Sequence, residues 1–266
     1  MKIGVTGVAG RMGRMLVQTV LASDGVVLAG GTEHPGHLLL GSDIAALVGA
    51  SPVGQPIVDD PEPVFVDADV VIDFTVPEAA AKHARLAVLH ETALVVGTTG
   101  LGAEEMAALR EAAAAVPVVQ AANMSVGVNL LLGLTRQVAA ILGDDYDVEI
   151  VEMHHRYKVD APSGTALALG HAAAAGRGTS LDSASEGLLG ERIGSRRRGT
   201  IGFATLRGGD VVGEHTVIFA GEGERLELTH RATSRTVFAT GAVRAAQWTL
   251  GRPPGLYGMR EVLGLD

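Results

Sequence analysis

Apolar positions along this chain follow two spacings, and the switches between them mark out its elements. Lys2-Ile3-Gly4-Val5-Thr6 is a short β-prone run; after a glycine-rich loop come the helical spacing Met15, Leu16, Thr19, Val20 and a second strand-like run, Val26-Val27-Leu28-Ala29-Gly30. Val70-Val71-Ile72-Asp73-Phe74 is apolar without alternation, as a strand buried on both faces of a parallel sheet must be, and Pro77-Glu78-Ala79-Ala80 opens a helix with proline in its first turn. Leu94-Val95-Val96, a helix over 103–115 and Val118-Val119-Gln120 continue the series. Strands alternating with helices in this way predict a doubly wound, Rossmann-like parallel sheet.

The pattern changes after Asn123. A helix over 129–142 leads to an alternating strand over 147–153, a helix beginning at Pro162-Ser163-Gly164-Thr165, and a Gly/Ser/Arg-rich stretch over 176–199. Three strand-like runs follow, 200–207, 214–221 and 224–233, with short glycine-rich connections that suit antiparallel pairing. A last helix over 238–250 needs a surface for Val243, Ala246 and Trp248, and is expected to return to the first sheet. The expected fold class is α/β: a doubly wound, Rossmann-like domain of residues 1–125 with 236–266, and an α+β domain of residues 126–235 with an open mixed sheet.

Composition narrows the function classes. The chain has 266 residues, 47% hydrophobic, with no run expected to span a bilayer and no cysteine, so thiolate and disulfide chemistry are excluded. The N-terminus enters a strand directly, without a basic region ahead of an apolar one, so a soluble, cytoplasmic chain with no membrane partner is expected. A net charge of −9 and 3% aromatic residues oppose a nucleic-acid groove. Arg196-Arg197-Arg198 is the single basic run and reads as a solvated loop or an intersubunit contact. No metal site is expected.

Candidate chemistry gathers at the strand ends. Gly7-Val8-Ala9-Gly10-Arg11-Met12-Gly13 lies between a strand and a helix: Gly7 for a tight turn, Gly10 for close approach to a pyrophosphate, Gly13 for packing helix on strand. Glu33, at the end of the second strand, stands where an acidic side chain accepts hydrogen bonds from an adenosine ribose. Gly97-Thr98-Thr99-Gly100 and Ala121-Ala122-Asn123-Met124 end two further strands with small residues against which a nicotinamide or ribose can lie.

The densest chemistry lies at Glu152-Met153-His154-His155-Arg156-Tyr157-Lys158-Val159-Asp160-Ala161-Pro162-Ser163-Gly164-Thr165. On an extended segment His154 and His155 point to opposite faces, and Lys158, an even number of residues on, shares the face of His154. Ser163-Gly164-Thr165 reads as a helix start, where free amides favour a carboxylate or phosphate. Together these groups describe a pocket for a small polyanion that needs a proton.

These motifs, with Asp73-Phe74-Thr75, Asn123-x-Ser125-Val126-Gly127-Val128-Asn129, Gly213-Glu214-His215 and Gly255-Leu256-Tyr257-x-Met259, resemble the 4-hydroxy-tetrahydrodipicolinate (dihydrodipicolinate) reductase family over essentially the whole chain and in family order. The resemblance implies a homotetrameric enzyme of lysine and diaminopimelate biosynthesis that reduces a small cyclic dicarboxylate with NADH or NADPH. It assigns catalysis to His154 and Lys158, either of which can supply the proton, and substrate binding to His155, Gly164 and Thr165. The dinucleotide would contact Gly7, Val8, Ala9, Gly10, Arg11, Met12, Glu33, His34, Gly97, Thr98, Thr99, Ala121, Ala122, Asn123 and Met124. Two positions depart from the family pattern. Met124 replaces a common aromatic residue, and His34 stands where an arginine often grips a 2′-phosphate, which tilts the expectation toward NADH, with Arg11 leaving dual use open. A non-catalytic dinucleotide sensor and a reductase of a related small acid are the alternatives.

Overall fold

The computed structural model of the chain describes residues 1–185 and 195–265. It divides into two compact units, Met1–Val126 with Arg235–Asp266 and Gly127–Ser234. Within the stretch over 176–199, residues 186–194 lie outside the described residues, as does Asp266.

The first unit is built on a parallel sheet. In chain order its elements are β1 (Lys2–Thr6), α1 (Arg11–Leu21), β2 (Val27–Thr32), β3 (Ile57–Val58), α2 (Glu62–Asp67), β4 (Val70–Asp73), α3 (Pro77–Leu89), β5 (Ala93–Val96), α4 (Ala103–Ala112) and β6 (Pro117–Gln120). The strand order is β11-β6-β5-β4-β1-β2-β3, β11 being Gly255–Tyr257 near the C-terminus, and every pairing is parallel. Order reverses between β1 and β4, the switch point where such sheets bind ligands beyond their strand ends. Because successive side chains face opposite ways, the strands feed two cores. Ile3, Val5, Ile72, Val95 and Val119 pack with Leu16, Val17 and Val20 of α1, while Val71, Leu94, Val96 and Val118 pack with Phe65, Ala84, Ala87 and Leu109 on the other side.

The second unit opens with α5 (Val126–Leu142) and β7 (Asp147–His154), followed by α6 (Gly164–Gly176), a short α7 (Leu181–Ala184), β8 (Ile201–Arg207), β9 (Gly213–Ala220) and β10 (Arg225–Ala232). Its sheet order is β10-β9-β7-β8. β8 and β9 therefore do not pair with each other, contrary to what their short connection suggests. β7, alternately buried along its length, lies between them, antiparallel to β9 and parallel to β8, and the parallel connection runs through α6. Val148, Ile150, Val217 and Phe219 meet Leu169 and Ala173 of α6 in one core. After this unit the chain re-enters the first one as α8 (Thr236–Thr249), whose Ala239, Ala242, Val243 and Ala246 join the α1 core, and then α9 (Met259–Leu263).

Two expectations need correction. The helix expected to begin at Asn129 begins at Val126, and Val126–Asp145 is a 20-residue helical stretch with mean hydropathy 1.5, long and apolar enough to cross a membrane by length and composition. Asn129, Thr135, Arg136 and Gln137 interrupt its apolar residues and hide its length in the sequence. In the structure Leu131 and Ala139 join the core of the second unit and Thr135 is buried, while Leu130, Leu134 and Ile141 are exposed. The basic run is also not a uniformly solvated loop: Arg198 is exposed beside Asp145, but Arg196 is clamped by Asp147, Glu149 and the carbonyls of Val148 and Thr200.

Candidate active site

The glycine loop shows why a side chain is excluded at two of its positions. Gly7 has φ +67°, and a Cβ at Gly13 would sit 2.1 Å from the Gly7 carbonyl oxygen and 2.6 Å from the Val8 Cα, so α1 can start against the loop only because Gly13 has none. The Val8 amide is spent on the Thr32 carbonyl at 3.0 Å and its side chain is buried. The Ala9 amide instead meets Glu33 Oε2 at 2.9 Å, which fixes the acidic side chain at the mouth of the loop.

Gly7, Gly10, Glu33 and His34 line one open cleft of about 510 Å³, with Asp59, Phe74, Thr75, Lys82 and His83 completing its wall. Arg11 is exposed and Met12 half-buried at the start of α1. Thr98 is buried and Thr99 exposed beyond the end of β5, and Ala121 and Asn123 are half-buried beyond β6. These residues sit at neighbouring strand ends of the same sheet without lining the cleft. Met124 is fully buried in the α1 core, so its side chain is unavailable for stacking.

Asp73 organises these strand ends. Its Oδ1 accepts from the Thr75 amide at 2.8 Å, Thr75 Oγ1 at 2.6 Å, Thr6 Oγ1 at 3.3 Å and Thr98 Oγ1 at 3.4 Å, while Oδ2 takes His83 Nδ1 at 2.8 Å. Burial alone pushes this carboxyl up, but His83 and Thr75 outweigh it and hold Asp73 below its ordinary range. The unit thus presents a glycine cradle, a carboxylate at the end of β2 and small residues along consecutive strand ends, a set that fits a dinucleotide.

In the second unit the inward face of β7 turns from apolar to polar along its length: Val148, Ile150, Glu152, His154. Opposite them on β9 stand Phe219, Val217 and then His215 beside Glu152. Glu152 is 1% exposed, and its two oxygens take His154 Nδ1 at 2.6 Å, the Ser163 amide at 3.0 Å and both terminal nitrogens of Arg207 at 2.8 and 2.9 Å. Burial raises this carboxyl, yet Arg207, His154 and the Ser163 amide together bring it below its ordinary range, so Glu152 is an anion that only accepts. His154 Nδ1 must then carry the proton, leaving Nε2 as the free lone pair of a neutral ring. Burial lowers the pKa of His154, as do Lys158 and Arg207, against the pull of Glu152. His215, buried with its Nε2 3.2 Å from Ser163 Oγ, is pushed down to about 4 by burial and then by His154.

The structure corrects the expected placement of Lys158. β7 ends at His154, the chain turns, and the Lys158 amide closes on the His155 carbonyl at 3.1 Å, so Lys158 does not extend the strand face. The turn brings its ammonium to Asp160 Oδ1 at 2.8 Å, and this hydrogen bond holds the Asp160 carboxyl below its ordinary range. Ser163 caps α6, its Oγ accepting from the Ala166 amide at 3.2 Å, and Gly164 and Thr165 supply the next amides at the positive end of a helix of 13 residues. His155 is half-buried beside Tyr157, the ring centroids 6.5 Å apart.

Several residues that organise these two clusters carry little sequence signal. Asp73 breaks an apolar run and Glu152 opens the histidine segment, but Arg207 merely ends a strand, and only strand pairing shows that it meets Glu152. Among the described residues no group of three or more His, Asp or Glu is arranged to hold a metal.

Comparison with known proteins agrees with both halves. Residues 1–124 match the family model described as the N-terminus of dihydrodipicolinate reductase, and residues 127–263 the one described as its C-terminus. Curated relatives called 4-hydroxy-tetrahydrodipicolinate reductase include one from Magnetococcus marinus, 54% identical over 99% of this chain and 98% of its own. Another, from an Anaeromyxobacter species, is 56% identical over 98% and 97%. Among solved structures, dipicolinate-bound dihydrodipicolinate reductase from Paenisporosarcina sp. TG-14 aligns with a TM-score of 0.79 and 25% identity over 98% of both chains. The chain therefore belongs to the dihydrodipicolinate reductase family, oxidoreductases of lysine biosynthesis.

Proposed function

We propose that this chain reduces 4-hydroxy-tetrahydrodipicolinate to tetrahydrodipicolinate with NAD(P)H, Lys158 giving the proton and His154 orienting the substrate beside it. The observation that carries the division of labour is the contact of His154 with Glu152. With Nδ1 tied to a buried carboxylate and its pKa lowered, the ring is neutral near pH 7 and holds no proton on Nε2 to give. The Lys158 ammonium carries a proton and a positive charge to set against negative charge that develops on the substrate. His155 with Gly164 and Thr165 at the start of α6 would take the carboxylates. The dipicolinate bound by the Paenisporosarcina protein is a dicarboxylate of this class.

The dinucleotide would be held by Gly7, Ala9, Gly10, Arg11 and Met12 along its phosphates, by Glu33 and His34 at the adenosine ribose, and by Gly97–Thr99 with Ala121–Met124 at the nicotinamide end. When bound, a reduced nicotinamide supplies the hydride. NADH is the preferred form in this reading, because Glu33 favours a ribose hydroxyl over a 2′-phosphate. A homotetramer is proposed on the family resemblance; the outward side of the second unit's sheet, with Arg225, Glu227, Thr229 and Arg231 exposed along β10, is an available face.

The test feeds freshly generated 4-hydroxy-tetrahydrodipicolinate to the purified protein and follows loss of nicotinamide absorbance with NADH and NADPH in parallel. Rapid oxidation with a larger kcat/KM for NADH is expected. A kcat/KM favouring NADPH tenfold or more sinks the cofactor preference, and silence with both cofactors, while either binds tightly, replaces the enzyme reading with a sensor or another substrate.

A further inference from the structure

Arg207 is the last residue of β8 and stands opposite His154 in the parallel β7–β8 register. Its guanidinium does two things at once. Fork to fork, Nη1 donates to Glu152 Oε2 at 2.8 Å and Nη2 to Oε1 at 2.9 Å, the same carboxylate that holds His154 Nδ1 at 2.6 Å. Nη2 also donates to the Asp160 backbone carbonyl at 2.6 Å, and the Asp160 side chain holds Lys158 Nζ at 2.8 Å. One planar group thus fixes the residue that orients His154 and the residue that holds Lys158. A lysine has the charge but not the rigid fork to reach both.

We propose that Arg207 is a positioning residue for the reduction: through Glu152 and the Asp160 backbone it sets His154 and Lys158 relative to each other. The inference rests on the assignment of those two groups to the reaction. An ordinary fold-stabilising ion pair is the competing account, since breaking a buried pair is costly wherever it lies. The two accounts separate by what turnover does when stability is partly restored.

The experiment measures kcat, NADH affinity and the pH profile of kcat/KM for Arg207→Met, Arg207→Lys, and Arg207→Met combined with Glu152→Met. Misplacement of about 1 Å costs on the order of 100-fold in rate, so Arg207→Met is expected to lose roughly that in kcat with NADH affinity unchanged. His154 is faced by Glu152 on its own strand, Arg207 on β8, His215 on β9, Lys158 beyond the turn and Ser163 at the start of α6. Removing the guanidinium leaves Glu152 free to favour the protonated ring, so the limb of the profile that reports His154 moves to higher pH. Arg207→Lys is expected to recover about tenfold, keeping one donor but not the fork. The double variant leaves no unpaired buried charge but strips the acceptor from His154 Nδ1 and the Ser163 amide, so it is expected to regain part of the melting temperature that Arg207→Met loses while staying slow. Wild-type kcat in the double variant, or an unchanged kcat and pH profile in Arg207→Met, overturns the proposal. Lys158→Ala and His154→Ala run alongside: if both keep full kcat, the assignment beneath the proposal fails; if they lose it while Arg207→Met does not, only the positioning role of Arg207 fails.

Discussion

Lys158 and His154 lie close together yet under opposite constraints. His154 is buried, tied through Nδ1 to an anionic Glu152 and disfavoured as a cation by Lys158 and Arg207. The Lys158 side chain is 22% exposed and paired with a single carboxylate on an exposed residue. Losing the ammonium removes both a proton source and a positive charge near developing negative charge, so Lys158→Ala should lower kcat by about 100-fold or more. Dinucleotide affinity should stay nearly the same, because no dinucleotide-binding residue proposed here lies in the histidine segment. Stopped-flow turnover together with NADH titration reads both, and an unchanged kcat removes Lys158 from the mechanism. At Glu33 the argument reverses. Glu33→Gln keeps an acceptor for the ribose but removes the charge that repels a 2′-phosphate, so the ratio of kcat/KM for NADPH to that for NADH should rise about tenfold; no change in that ratio would show that other groups set the preference.

Among the elements, α1 depends most plainly on one missing methyl group. A Cβ at Gly13 would lie 2.1 Å from the Gly7 carbonyl oxygen and 2.6 Å from the Val8 Cα, both backbone atoms that cannot swing aside. Gly13→Ala should therefore push α1 away from the loop, cost about 1–3 kcal/mol and weaken NADH binding at least tenfold. Calorimetry and NADH titration test this, and wild-type affinity in a folded variant would show that the loop gives way freely. This role of Gly13 is legible in the sequence, because a glycine triplet between a strand and a helix has few other uses. The inward alternation Val148, Ile150, Glu152, His154 is legible for the same kind of reason: period two fixes the face. What local pattern cannot carry is which strands pair. Arg207 meets Glu152 only because β8 crosses over α6 and lies parallel to β7, a long-range pairing invisible in either strand alone. The turn after His154 was hidden too, since His155 to Lys158 has no glycine or proline to mark it, and strand periodicity carried past its end misplaces Lys158.

At the scale of the molecule, folding stability sums proton linkage over both units, and the buried groups here pull in a consistent direction. Asp73 in the first unit and Glu152 in the second have carboxyls held below their ordinary range, so each contributes stability at neutral pH that is lost as pH falls through its native pKa. His215, His154 and His230 have lowered pKa values, and for such groups the unfolded chain takes up a proton before the native state does. For His215 the window is set by its unfolded value of 6.5 and its native value of about 4. Within that window the unfolded state binds more protons, so stability rises with pH; the contribution is complete above 6.5 and is lost as pH falls toward 4. Its full size is on the order of 3 kcal/mol at about 1.4 kcal/mol per pH unit. Acid weakening should therefore begin below pH 6.5, well before the carboxylates protonate. Thermal midpoints by circular dichroism across pH 4 to 8 should fall on the acid side of that point. His215→Gln keeps a neutral partner for Ser163 Oγ but cannot take up a proton, and should flatten the slope between pH 6.5 and 4 while leaving the more acidic loss that Asp73 and Glu152 contribute. Equal slopes in the two proteins would mean that native His215 accepts its proton as readily as an unfolded histidine, and that the cluster around Ser163 opens to water near neutral pH.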